Sequence, residues 1–351
     1  MFQPRQAVLR RLAIATVAVA TATSALAVPY TWSGGASTTA TWSVDATNWT
    51  GASGTPWDAA NGSANVAVFN SGSSTASVAD QVYANGLTFS AANGLVTGGT
   101  VTLSGTGVVI GVTTGTSTLA ATVAGSGFSK SGGGTLVLSA SNTLGSGTFS
   151  FGATSSANQG YITLANGKGL GNYSTINLLG DNASVAGINL TGGITANYAL
   201  RLNGRTDNGT SYQLKNLSGN NTWSGPITAV NTGGSYIFTS DSGTLTLSGT
   251  QNSSVTSSRG FIYSGTGSIT VTGPILNGGT AGISVTKNGP GTLTLSGSNS
   301  HANGTNVNFG TVSVTNPAGL GVGSVSVSGS STLNLNSVTL ATGTGLFTVN
   351  G

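Results

Sequence analysis

The chain has 351 residues, with 57 glycines, no cysteine and a formal charge of +4, and only 5% of its side chains are charged, against about 25% in ordinary domains. Disulfides are excluded, and so is a zinc site of the usual Cys and His composition, because His301 is the single histidine. Glu is absent, so solubility rests on Ser, Thr, Asn and exposed backbone.

Residues 1–27 read as a secretory signal peptide: a basic "MFQPRQAVLRR", an apolar "LAIATVAVATATSALA" and a small-residue site that places cleavage near Ala27. The expected location is therefore secreted or cell-surface. No later stretch is long and apolar enough to span a bilayer. Loss of Arg5, Arg10 and Arg11 with the leader leaves 7 basic residues against 6 acidic ones. No basic patch of the kind a nucleic-acid partner needs is left.

Residues 28–95 hold four of the five tryptophans, Trp32, Trp42, Trp49 and Trp57. Flat indole faces suit sugar rings, which makes these four a candidate glycan-binding surface. The alternative is a cap, since the first coil of a repeat protein must cover its exposed core. The cap is the favoured expectation.

Residues 96–351 read as a repeat region. "GTLTLSG" stands at 243–249 and again at 291–297, with "GSITVTG" midway at 267–273 and a worn "GNNTWSG" at 219–225. The bounding glycines Gly243 and Gly249, Gly267 and Gly273, Gly291 and Gly297 keep a 24-residue period. Between them Leu245 and Leu247, Ile269 and Val271, Leu293 and Leu295 alternate with Thr, the pattern of a half-buried strand. One strand per 24 residues in constant phase predicts stacked coils and an all-β fold. The fold expected is a right-handed parallel β-helix of about 13 coils, with strands about 4.8 Å apart. The glycines are expected to serve sharp corners. Looser echoes, including "GTLVLSA" at 134–140, fall off the grid.

The densest charged stretch is 181–215, with Asp181, Arg201, Arg205, Asp207 and Lys215 beside Tyr198 and Tyr212. Asp181 and Asp207 are 26 residues apart, close to one coil, and are weak candidates for a catalytic carboxylate pair. Solvated turn residues are the favoured reading. No cofactor or metal is expected. At the other end, "STLNLNSVTLATGTGLFTVNG" (331–351) continues the apolar alternation, with no charge after Lys287. The expectation there is continuation of the polypeptide beyond Gly351 or self-association through this end.

"AGSGFSKSGGGTLVLSASNT" (124–143) and "AGISVTKNGPGTLTLSGSNS" (281–300) share a lysine, a Gly-rich turn, the strand and a final Asn-hydroxyl pair. They resemble the autotransporter-associated β-strand repeat, also called the passenger-associated transport repeat. In the second copy Lys287, Gly289, Gly291, Thr292, Leu293, Leu295, Ser296, Gly297 and Asn299 match, and "GTNVNFGTVSV" (304–314) continues the pattern. The Tyr of that pattern is replaced, with His301 near its place, and the first copy lacks the later segment in clear form. The resemblance implies a bacterial secreted or surface protein, whose repeats build a β-helical passenger stalk. The function expected is structural and non-enzymatic. A glycan-binding adhesin using the Trp-rich segment is the first alternative, and a β-helical polysaccharide hydrolase or lyase the second.

Overall fold

A computed structural model describes residues 28–34, 39–43, 48–51, 57, 64–152, 160–179, 186–203, 212–230, 234–279, 281–341 and 345–350. The expected leader, residues 1–27, lies outside them. All regular elements among the described residues are strands, arranged as sheets of six, sixteen, five and seven strands. Among the described residues every strand pairing is parallel except one, Val28–Trp32 against Trp49–Gly51. The fold is a β-solenoid of about 11 turns. That is fewer than the expected 13, and coil length varies about 24 residues. Thr163 and Asn189 touch across adjacent coils 26 residues apart, as do Lys215 and Asp241. Val123 and Asn142 are only 19 apart.

Each coil crosses three faces. The first carries the six-stranded sheet from Val28–Trp32 to Ser129–Ser131, followed by the five-stranded sheet that begins at Gly147–Phe151. Phe128 and Phe149, 5.3 Å apart, pack where one sheet succeeds the other. The long sheet forms the second face, running through Thr135–Leu138, Gly160–Leu164, Ala186–Leu190 and on to Phe347–Asn350. The third face begins with the ladder Thr122–Gly125 to Thr143–Leu144 and resumes as the seven-stranded sheet from Thr195–Ala196 to Ser331–Asn334. Near the N-terminus, Thr75–Ala84 and Leu95–Leu103 each bend around a corner and serve two faces. Their register shifts between Val78 and Gln81.

The 24-residue grid is a vertical column. Leu245 pairs with Ile269 and Ile269 with Leu293, while Leu247 pairs with Val271 and Val271 with Leu295. All six side chains are buried, and Thr244, Thr246, Thr270 and Thr294 face outward. Burial of each such apolar side chain contributes about 1.5–3 kcal/mol, and a column repeats it at every level. The worn copy belongs to the same column: Asn221 lies under Leu245 and Trp223 under Leu247. Buried Asn221 is satisfied there, its Oδ1 accepting Ile194 N–H at 2.8 Å and its Nδ2 donating to Ser218 O at 2.8 Å.

The grid glycines have a second reason besides turning. Gly243 has φ +73°, the left-handed conformation that glycine tolerates best. Gly249, Gly273 and Gly297 do not. A Cβ on each would lie 2.1, 2.1 and 2.4 Å from the carbonyl oxygen of the glycine one coil below. Stacked backbones leave no room for a side chain at that corner, so close approach is what demands glycine there. At the far end, Leu333, Leu335 and Leu340 pack partly buried against the core, while Leu346 is 75% exposed.

Candidate functional site

The tryptophans form one cluster. Trp32, Trp42, Trp49 and Trp57 are 4, 0, 2 and 2% exposed. Trp49 touches Trp32, Trp42 and Trp57 at ring separations of 4.8, 4.9 and 5.0 Å, and Phe69 at 5.5 Å. Phe69 then stacks on Phe89 of the next coil at 4.8 Å. The antiparallel strand Trp49–Gly51 closes the edge of Val28–Trp32. The indoles pack edge-on or tilted against one another, and at 0–4% exposure no indole face is left open to stack on a sugar. The candidate binding surface at these four residues is thus corrected to a buried one.

The two lysine-bearing copies share a set of backbone anchors. Lys287, 2% exposed, donates from Nζ to the carbonyl oxygens of Asn288 (2.9 Å), Gly289 and Phe309 (3.3 Å). Lys130, 4% exposed, donates to Gly132 O at 2.8 Å in the equivalent Gly-rich turn. Burial lowers both ammonium groups to a pKa of about 8. A little further on, Asn299 Oδ1 accepts Ile275 N–H at 2.8 Å from the coil before, and its Nδ2 donates to Gly319 O in the coil after. Asn142 does the same between Val123 (2.8 Å) and Gly169. The following coil opens each time with an Asn turn, Asn166 Oδ1 to Lys168 N–H and Asn316 Oδ1 to Ala318 N–H, both 2.9 Å.

Pairing also supplies the later segment that the first copy lacks in clear form. Gly160–Leu164 lies on Thr135–Leu138 as Gly310–Val314 lies on Thr292–Leu295. In the first copy it is reached through the longer connection 152–160. The two copies nonetheless occupy different faces. Thr135–Leu138 belongs to the long sheet and Thr292–Leu295 to the seven-stranded one, so the second copy is turned by one face about the rod. This is why "GTLVLSA" falls off the 24-residue grid.

Asp181, Arg205 and Asp207 lie outside the described residues. Of the same charged stretch, Lys215 pairs with Asp241 at 3.1 Å, and its Nζ sits 4.4 Å from the ring centre of Tyr212. Tyr212 in turn stacks on Tyr161 at 5.0 Å, and Gly187, with no side chain, leaves room for the Tyr161 ring and the Tyr212 carbonyl. This exposed ion pair contributes little by itself. The tyrosine stack on an outward strand face has no signal in the periodicity. His301 is fully buried and takes the interior position that Leu144 takes in the first copy. Its Nε2 is 2.9 Å from Thr305 Oγ1, and burial lowers its pKa to about 4. Among the described residues no three His, Cys, Asp or Glu side chains converge as metal ligands.

Comparison with known families finds the passenger-associated-transport-repeat at residues 128–149 and 285–314. These two segments contain Lys130 and Lys287, Asn142 and Asn299, and the strands that follow them. No curated protein and no solved structure matches the chain. The chain is thus a parallel β-solenoid that carries two segments matching the passenger-associated-transport-repeat, one in each half of its length.

Proposed function

We propose that this protein is a non-enzymatic structural passenger, a secreted or surface-borne rod whose repeats set its length. The observation that carries the reading is the pair of passenger repeats embedded in a continuous parallel ladder. A rod of this kind presents Ser, Thr, Asn and Gly outward and has few groups suited to chemistry. The six carboxylates of the whole chain are aspartates scattered from Asp45 to Asp241, and a hydrolase or lyase mechanism calls for a closely placed acid and base. The leader reading supports export, with Val28 as the first mature residue.

The test is expression of the full chain in a bacterium with two membranes. The expected product begins at Val28 and is digested by protease added to intact cells or is found in the medium. An unprocessed chain retained in the cytoplasm overturns the reading. Turnover of a polysaccharide that is lost in Asp181→Asn or Asp207→Asn overturns its non-enzymatic part.

A further inference from the structure

Among the described residues the third face is interrupted once. After Thr143–Leu144 the next coil crosses this face as the turn 165–172 instead of a strand, and pairing resumes only at Thr195–Ala196. The lapse leaves an open groove of about 310 Å³, at the lower end of the range for small-molecule sites, about 300–1,000 Å³. Asn166, Lys168 and Tyr173 line it from one coil, and Thr195, Asn197 and Tyr198 from the next.

Two polar groups of this groove are fixed by the fold, and the others are left open. Asn166 uses its Oδ1 on Lys168 N–H, which fixes the turn and leaves its Nδ2 without a partner among the described residues. Tyr198 is buried, and its Oη accepts Leu170 N–H at 3.2 Å. The Lys168 ammonium, the Thr195 hydroxyl and the Asn197 amide have no hydrogen-bond partner among the described residues. No carboxylate lines the groove. One cation with several amide and hydroxyl groups matches one anionic group on a polyhydroxylated ligand.

The second repeat copy serves as an internal control. Its equivalent turn keeps the scaffold, with Asn316 Oδ1 on Ala318 N–H and Gly319 N–H on Asn316 O. It has Ala318 where the first copy has Lys168, and Gly323 where the first has Tyr173. The turn therefore forms without the lysine, whereas Tyr173 also packs on Phe149 at 5.3 Å.

We propose that this groove binds a uronic-acid unit of an acidic polysaccharide, with Lys168 on the carboxylate and Asn166, Thr195 and Asn197 on the ring hydroxyls. This goes beyond the structural role, because it gives the rod a ligand at one defined level.

Calorimetric titration of the full mature chain with trigalacturonate tests it, with galactotriose as the uncharged counterpart. Saturable binding of the acid is expected, weakening with added salt. Lys168→Gln and Asn197→Ala should each raise Kd about tenfold, as loss of a charge-assisted or polar contact does, and Lys168→Arg should bind as the parent does. Both losses lie on exposed side chains, and an unchanged thermal midpoint reports that the variants fold. Absence of binding overturns the proposal, as does binding that survives Lys168→Gln and Asn197→Ala together. Equal affinity for galactotriose overturns the assignment of an acidic unit.

Discussion

Asn142 and Asn299 make the same pair of bonds on different faces of the rod. Each accepts an amide of the coil before through Oδ1 at 2.8 Å and donates through Nδ2 to a glycine carbonyl of the coil after. Both are buried, so the two backbone groups each one serves have no access to water. Asn299→Leu leaves Ile275 N–H and Gly319 O unsatisfied, and the expected loss is about 2–4 kcal/mol. Urea denaturation checks it, and a loss within the 0.5 kcal/mol or so of an ordinary surface change contradicts the bracket role.

Lys287 is expected to act as a hydrogen-bonding clamp more than as a charge. Lys287→Met keeps the aliphatic stem but removes the donor to Asn288 O, Gly289 O and Phe309 O. A destabilisation of about 1–3 kcal/mol is expected, with faster amide exchange localised to 287–311. Stability equal to or above the parent would show that desolvating the ammonium costs as much as its bonds return.

His301 predicts an acid-sensitive coil. Thr305 Oγ1 donates to Leu320 O at 3.1 Å, so it accepts from His301 Nε2–H, and Nδ1 has no partner among the described residues. Protonation puts an unmatched N–H and a charge into the core, which is why the folded pKa falls from 6.5 to about 4. The unfolded chain then binds the proton first. Stability is complete above about pH 6.5 and is lost as pH falls towards 4, by about 3 kcal/mol in all. His301→Leu, which copies Leu144 of the other repeat, should remove that step. Denaturation midpoints at pH 7 and 4.5 decide, and equal slopes for parent and variant refute it.

The column Leu245, Ile269, Leu293 predicts a sharp contrast between neighbours in sequence. Ile269→Asp buries an unpaired carboxylate and should cost several kcal/mol, unfolding the coils on either side. Thr270→Asp faces outward and should stay within about 0.5 kcal/mol. Similar losses for both would mean that the register is not the one described.

The period and the alternation made the solenoid and this column legible in the sequence, because both depend on residues repeated at constant spacing. The density of large apolar groups ahead of the repeats was legible too, and those four indoles are buried. The roles of Lys287 and Asn299 were visible only as letters of a motif. Their bonds run between coils separated by varying numbers of residues, 20 for Asn299 to Gly319 and 27 for Asn142 to Gly169, so no fixed interval marks them. The groove at Lys168 and Tyr198 was hidden for a different reason: it exists where a strand fails to form, and a missing strand leaves no pattern to read.

The turn of one face between the two lysine-bearing copies has a consequence for how such rods change over generations. A repeat that is held by its own lysine, asparagine and glycine anchors does not depend on which sheet receives it. Genetic duplication or deletion therefore need not supply whole turns, since a segment spanning a third of a turn can be accommodated by reassigning every later strand to the neighbouring sheet. Length and compass bearing then vary together. Whatever decorates the surface beyond the altered point moves to the neighbouring face, so a small insertion redirects the rod's distal features without disturbing its interior.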